Sequence, residues 1–299
     1  MKSLEKKGKI LITGGTGLVG RNLYNRLIKQ GYKANAIGSS FDLRDPLQCK
    51  QAFDKYKPDI IFHLAAKVGG IYANVHYKAD FYSDNTLINT NVVNECVKNN
   101  VGYIFAMGTG CAYPKHKEGQ LLYEKDFLDG IPEVTNDAYA YAKRGLLVHL
   151  KSLSESRVLN YCYCLPANIY GPHDNFHPMH SHVVPGLIRR FCDAKTNRAS
   201  NVVVWGDGSA KRDFIYIEDC IDAMLLLAKN GSTGPVNVAT EQLTSIVELS
   251  VLIKTFSGFN GKVEYENEFP SGQQERRFDI TKVTALGWAP KTDLETGIK

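Results

Sequence analysis

The chain has no cysteine spacing of a disulfide framework, no apolar run of membrane length, no internal repeat and no low-complexity tract. Seven cysteines without paired spacing, with Cys162 and Cys164 in an apolar strand-like run, imply reduced thiols and a cytoplasmic protein. Neither a signal peptide nor a spanning segment is legible, so no membrane partner is expected. A nucleic-acid stripe is missing too. Net charge is +5, but the bases are scattered, and the one dense run, Lys2 to Lys9, sits at an N-terminus expected to fray. That distribution excludes nucleic acid as a partner and leaves room for an anionic small molecule.

What is present is an ordinary globular composition, 43% hydrophobic and 22% charged over 299 residues, enough for one large or two modest domains. Lys9–Thr13 reads as a short buried strand. It is followed at once by GGTGLVGRNLYNRLIKQG, a glycine-rich turn opening an apolar-periodic helix that ends at Gly31. Gly14, Gly17 and Gly20 form G-x-x-G-x-x-G, in which residues without Cβ let backbone amides approach a pyrophosphate at a helix N-terminus. The bland alternative is a tight turn that holds nothing. A second strand, Lys33–Ile37, ends in Gly38-Ser-Ser40. NAD-binding versions of this unit often carry an acid about 20 residues past the glycines. Ser39 and Ser40 stand there instead, with Arg21 and Arg44 nearby, which suits a 2′-phosphate and favours NADP(H) over NAD(H). Asp42 keeps NAD(H) open, and either arginine is otherwise a solvated side chain.

Further strands are read at 59–66, 102–107, 159–165, 212–217, 235–238 and 263–266, and a strand with its turn at 201–208. Helices are read at 85–99, 185–195, 218–229 and 245–257, with a flexible turn at 67–70. Strands alternating with helices predict an α/β fold, a Rossmann-type doubly wound parallel sheet with ligands at the carboxyl ends of its strands. Thr109 and Cys111 fall at such an end. Beyond Gly171 the pattern becomes loop-rich. The expected division is a dinucleotide-binding domain, 1–167 plus about 213–240, and a smaller interleaved nucleotide-sugar domain, about 168–212 plus 241–299.

Tyr139 and Lys143 stand four apart in a helical stretch and so share a face, whereas Tyr141 points elsewhere. A neighbouring ammonium stabilises a phenolate, and such a pair can give a proton to a ketone or take one from an alcohol near neutral pH. Alone, the spacing also fits a surface Tyr/Lys pair.

Taken in order, GxxGxxG, His-Leu-Ala-Ala at 63–66, the hydroxyl of Thr109, Tyr139-x-x-x-Lys143 and Tyr170-Gly-Pro172 resemble extended short-chain dehydrogenase/reductases acting on nucleotide sugars. AAKVGGI at 65–71, Cys111-x-Tyr-Pro114 and YGPHDNFHP at 170–178 followed by Ser181-His-Val narrow the resemblance. They look like the GDP-L-fucose synthase family (GDP-4-keto-6-deoxy-D-mannose 3,5-epimerase/4-reductases) and the related GDP-4-keto-heptose C4 reductases. The resemblance runs from about Lys9 to Trp288, and continuation into another helix past Lys299 is expected from it. It implies that Tyr139 protonates the sugar C4 oxygen, that Lys143 lowers the tyrosine pKa and holds the nicotinamide ribose, and that Thr109 hydrogen-bonds the same oxygen. Pre-set donors of this kind are what a ketone accepting hydride needs.

The resemblance further implies that Cys111 and His182 are the acid/base pair for epimerisation at C3 and C5, where the C4 ketone acidifies the protons. Otherwise Cys111 is a small buried thiol, and His182 makes a structural, phosphate or metal contact. Metal is not expected, because the reaction needs none and His173, His177, His180 and His182 match no zinc spacing. The cofactor is implied to lie on Gly14, Thr16, Gly17, Leu18, Val19, Gly20 and Arg21, on Ser39, Asp42 and Leu43, and on Leu64, Ala65, Ala66 and Lys67. Pro166, Asn168, Ile169 and His182 complete that set beside Tyr139 and Lys143. The GDP-linked 4-keto sugar is implied to lie on Asn168, Val183, Leu187, Arg190, Trp205, Arg212 and Arg276. Arg190 and Arg212 would pair its pyrophosphate bidentately, unless Arg190 is on a solvated helix face. A homodimer packed through 85–99 and the Tyr139 helix is also implied.

Two departures stand out. The family usually reads Gly-Ser-Ser-Cys where this chain has Gly108-Thr-Gly-Cys111, and it usually has lysine near Arg276. Thr109 keeps the hydroxyl with fewer rotamers, and Gly110 is expected to change the space beside the sugar. Reduction is untouched by these changes, while the sugar and the C3/C5 chemistry stay open. A 4,6-dehydratase would need a carboxylate beside the hydroxyl residue, where Gly110 and Cys111 stand. A non-catalytic nicotinamide-binding module would tend to lose the Tyr/Lys pair.

Overall fold

A computed structural model describes Leu4 and residues 6–178, 180–266 and 273–299. Part of the Lys2 to Lys9 run therefore lies outside the described residues. Six strands make the central sheet: β1 (Lys9–Thr13), β2 (Lys33–Ile37), β3 (Ile60–His63), β4 (Tyr103–Met107), β5 (Asn160–Pro166) and β6 (Gly234–Val238). They lie in the order β6-β5-β4-β3-β1-β2, every neighbour parallel. Every residue of β3 and β4 is buried, as strands covered on both faces require. The helices Leu18–Lys29, Pro46–Tyr56, Lys78–Lys98, Asp137–Glu155 and Ile217–Lys229 connect or flank the strands, giving the Rossmann-type doubly wound sheet that the alternation implies. Strand order reverses between β1 and β3, so the crevice outside their carboxyl ends is where this architecture holds ligands.

A second apolar cluster, including Leu187, Phe191, Val204, Leu249, Ile253 and Phe259, is separate from the core around the sheet. It is enclosed by the helices Val183–Thr196 and Ile246–Ser257 and the parallel strand pair Asn201–Trp205 and Lys262–Glu266. Tyr170 and Phe214 join it from the paired strands Asn168–Tyr170 and Lys211–Tyr216. The chain thus enters this cluster after β5, leaves it for β6, and comes back.

Several boundaries differ from the sequence reading, each for a local reason. The strand expected over 59–66 stops at His63, because the amides of Leu64 and Ala65 turn to the Thr13 hydroxyl, each at 3.2 Å. The helix expected from 85 begins at Lys78, whose ammonium is held by the Val134 carbonyl and Asp137. A helix at Pro46–Tyr56 went unread despite an Asp45 cap on the Leu47 amide and proline at its first position. The turn at 67–70 leads directly into a short helix, Ile71–His76.

Candidate active site

A cavity of about 750 Å³ opens between the carboxyl ends of the sheet strands and the second cluster. One end is made by the glycine turn. Gly14 holds a left-handed backbone (φ +70°), and a Cβ there would come within 2.8 Å of the Ala65 amide nitrogen. A Cβ on Gly20 would stand 2.2 Å from the Gly14 carbonyl, so the turn closes only without side chains. The helix that follows has no side-chain cap at Gly17 and no acid in its first turn. Its leading amides and positive dipole end thus face the cavity, a cradle that fits a dinucleotide pyrophosphate. Gly14, Thr16, Gly17, Leu18, Val19, Gly20, Leu64 and Ala66 all line it.

The remaining expected cofactor residues on this side do not line the cavity. Arg21 is exposed, its guanidinium 3.5 Å from the His173 ring. Ser39 is exposed and Leu43 is buried in the sheet core. Arg44, expected to suit a 2′-phosphate, is engaged by Asp42 at 2.7 Å and by Asp84 at 3.4 Å, and the Arg44 bonds hold the Asp42 carboxyl down to about 2. Lys67 pairs with Asp84 at 2.8 Å and Asp80 at 3.3 Å, while Ala65 gives its amide to Thr13.

The middle of the cavity carries Thr109, Cys111, Tyr139 and Lys143. Tyr139 and Lys143 share the inner face of the helix Asp137–Glu155, and Tyr141 is 44% exposed on its outer face. Lys143 is buried and donates to the Met107 carbonyl at 2.8 Å; its nitrogen lies 5.8 Å from the centre of the Tyr139 ring. Burial lowers the Lys143 ammonium to about 8 and raises the Tyr139 phenol, with Cys111 adding in the same direction on Tyr139. The expected lowering of the tyrosine by its lysine is therefore not the dominant effect here: desolvation outweighs an ammonium turned to a carbonyl. The Thr109 hydroxyl caps the turn Gly110–Ala112 and meets the Cys111 sulfur at 3.0 Å.

Supporting residues that sequence reasoning missed hold this corner. Buried His63 bonds Thr13 at 2.9 Å and the Asn89 carbonyl oxygen at 3.0 Å, and Asn89 donates to Ala142. Accepting from Thr13 and donating to Asn89 fixes the neutral Nε2–H tautomer; burial, with Lys143 nearby, pushes the ring down to about 3. Arg144 donates to Ala112 at 2.8 Å and Gly130 at 2.6 Å, tying the helix to the Cys111 turn. Tyr163 donates to the Lys143 carbonyl at 2.7 Å and fills the space where a Gly108 side chain would be. The only signal for these in the sequence was polar residues inside apolar runs.

The far end carries Pro166, Asn168, Ile169, His182, Val183, Leu187, Arg190, Trp205, Arg212 and Arg276. His182 precedes the helix Val183–Thr196 and faces the cavity, burial lowering its pKa. Arg190 stacks on Trp205, 4.6 Å from the ring, and donates to the Val203 carbonyl at 3.0 Å. Arg212 is engaged as well, donating to the Lys211 carbonyl at 2.8 Å and the Gln274 carbonyl at 3.2 Å. Burial and the neighbouring Arg276 lower Arg212 to about 9. Burial lowers Arg276 as well, its guanidinium reaches the Cys111 sulfur, and its Nε is buried with no partner among the described residues. Asn74, Glu133 and Asp174 also line the cavity and were not anticipated. Glu133 is paired with Lys115 at 3.0 Å, whereas Asp174 is raised to about 6 by burial. Gly110 lines the cavity between Thr109 and Cys111, and a Cβ there would meet the Phe278 ring at 2.5 Å. Among the described residues no cluster of His, Cys, Asp or Glu could hold a metal ion.

Residues 10–239 match the model of the NAD dependent epimerase/dehydratase family. GDP-L-fucose synthase 1 of Arabidopsis thaliana is 37% identical over 98% of this chain and 92% of its own. A GDP-L-fucose synthetase from Naegleria fowleri, solved bound to NADP, is 31% identical with a TM-score of 0.88 over 100% of this chain and 92% of its own. A GDP-6-OMe-4-keto-L-xylo-heptose reductase from C. jejuni is 26% identical with a TM-score of 0.90 over 100% of this chain and 97% of its own.

Proposed function

The chain belongs to the NAD dependent epimerase/dehydratase family, and within it we propose that the protein uses NADPH to reduce the C4 ketone of a GDP-4-keto sugar. One observation carries the reading: a single cavity joins an uncapped glycine turn, the Thr109–Tyr139–Lys143 corner and a Trp205–Arg212–Arg276 wall. When bound, the nicotinamide supplies the hydride. Tyr139, held protonated by burial, gives a proton to the C4 oxygen. Lys143 places a cation beneath it and the Thr109 hydroxyl offers a second donor, so that negative charge developing on that oxygen meets fixed donors. Arg212 and Arg276 pair the diphosphate, and Trp205 packs on the nucleoside. In this reading the sheet unit, 1–167 plus about 213–240, serves the cofactor, and 168–212 plus 241–299 serves the nucleotide sugar.

Cys111 and His182 both face the same cavity, which favours a second activity, proton exchange at C3 and C5 of the bound ketone. The free state of all seven cysteines fits the cytoplasm, and no helix among the described residues is long and apolar enough to cross a membrane. A homodimer through the helices Lys78–Lys98 and Asp137–Glu155 is supported by Leu87, Tyr141 and Val148, left 44–48% exposed on those adjacent helices. The test is a panel of GDP-4-keto hexoses and heptoses with NADPH, products assigned by NMR, with a parallel incubation in D2O without cofactor. C4 alcohol formed at the expense of NADPH supports the reading, and no turnover of any member sinks it. Absence of deuterium at C3 and C5 removes the epimerase activity alone.

A further inference from the structure

Gly110 packs against Phe278, which follows Arg276 by two residues in the same segment. A Cβ on Gly110 would lie 2.5 Å from Cζ and 2.9 Å from Cε1 of Phe278, and 3.2 Å from the Pro166 carbonyl oxygen. The Phe278 ring cannot simply swing away: it is 3% exposed and wedged against Tyr113, ring centres 6.0 Å apart. Phe278 lies in the short strand Arg277–Phe278, paired in parallel with Leu121–Leu122, and Asp279 continues the pairing through its amide. Arg276 directly precedes that strand, reaches the Cys111 sulfur and contributes to the cavity wall. Upstream, the Gln274 carbonyl accepts from the Lys211 amide at 2.7 Å and from Arg212 at 3.2 Å, so the segment also bridges to the second arginine of the wall.

We propose that Gly110 is a positioning residue for nucleotide-sugar binding: the slot left by its missing side chain is filled by Phe278, and this packing holds Arg276 near Cys111 and Arg212, where it contacts the diphosphate-proximal part of the nucleotide sugar. The inference rests on the reading that the cavity takes a nucleoside diphosphate sugar, and it deepens that reading by linking residues far apart in the chain. Gly110 lines the cavity and Phe278 stands behind it; both are positioning residues that act through Arg276. A larger residue at 110 has to displace the ring, and close-packed interiors pass such strain to the neighbouring backbone. The effect is predicted to fall on nucleotide-sugar binding and to spare the glycine-turn end, which shares no residue with this packing.

The test is a double-mutant cycle of Gly110→Ala and Phe278→Leu, read by calorimetric Kd for GDP-mannose, Kd for NADPH and Tm. Gly110→Ala is expected to weaken GDP-mannose by at least about fivefold while NADPH stays within about twofold, and Phe278→Leu to weaken it too by releasing Arg276. Because the smaller leucine makes room for the alanine methyl, the double variant is expected to bind more tightly than the product of the two single effects predicts. Unchanged GDP-mannose affinity in Gly110→Ala, or single effects that multiply without coupling, overturns the inference. If Gly110→Ala does not fold, Phe278→Leu decides: wild-type GDP-mannose affinity in that variant overturns it. A wild-type protein that shows this coupling yet reduces no GDP-4-keto sugar removes the proposed reaction and leaves the packing claim standing.

Discussion

The two ends of the cavity are built in different ways. The cofactor end is local: the turn Gly14 to Gly17 and the first residues of the helix that follows supply the cradle, and the parallel sheet fixes it from behind. The nucleotide-sugar end is assembled from a helix at 183–196, strands at 201–205 and 211–216, and the segment 273–278, with the Cys111 turn closing it from the sheet side. Backbone amides dominate the first end, buried guanidinium groups the second. A local cradle tolerates substitutions elsewhere, whereas an assembled wall is sensitive to packing far from any ligand. In the proposal above, nucleotide-sugar binding depends on residues such as Phe278 that lie behind the wall.

That comparison can be broken at several points. Tyr139→Phe belongs to neither end and is expected to lower kcat by roughly 10² to 10⁴-fold with both dissociation constants preserved, measured by steady-state rates alongside calorimetry. Arg212→Ala should weaken GDP-mannose by about 10-fold to 10²-fold, the worth of a lost charge-assisted contact, while NADPH affinity holds. Comparable losses in both ligands would mean the ends are not independent. Gly20→Ala reverses the pattern: crowding of the Gly14 carbonyl should raise Kd for NADPH by about tenfold or more and leave GDP-mannose nearly unaffected.

Between the ends, Lys143 gives a pH signature. Its ammonium, lowered to about 8, is lost as pH rises through that value, so kcat/KM should fall above pH 8. The stability effect has the opposite sign. The folded state binds fewer protons than the unfolded one between about 8 and the ordinary lysine value near 10.4, so this group's contribution to stability rises with pH across that window. Parallel loss of activity and of Tm above pH 8 would contradict this reading of Lys143. The smallest effect is expected from Thr109→Ser, which keeps the hydroxyl and restores rotamers; kcat within about threefold of wild type is the expected outcome.

The comparison also explains what the sequence could tell. The sheet, the glycine turn and the Tyr139/Lys143 face were legible because each rests on a short-range pattern: apolar runs, glycine spacing, a four-residue helical step. The wall residues were reached only by resemblance, and their state could not be read. That Arg190 is stacked on Trp205, that Arg44 is tied to Asp42, and that Gly110 packs against Phe278 are long-range packing outcomes with no local signature. The raised Tyr139 phenol likewise has no local signature. Spacing puts a lysine near a tyrosine, but only the folded environment reveals that desolvation outweighs their attraction and that Lys143 is turned to Met107. His63 and Arg144, buried polar residues that brace the corner, were passed over because a polar residue in an apolar run reads as an interruption.

The central claim is that hydride reaches C4 of a GDP-linked ketose in the cavity where Tyr139 waits to protonate the oxygen. NADPH carrying deuterium at the transferable position, incubated with GDP-4-keto-6-deoxymannose and followed by NMR, tests it directly. The account predicts one deuterium at sugar C4 for each cofactor oxidised in the wild type, and loss of that signal in Tyr139→Phe. Cofactor oxidation without deuterium at C4, or an undiminished C4 signal in Tyr139→Phe, would contradict it.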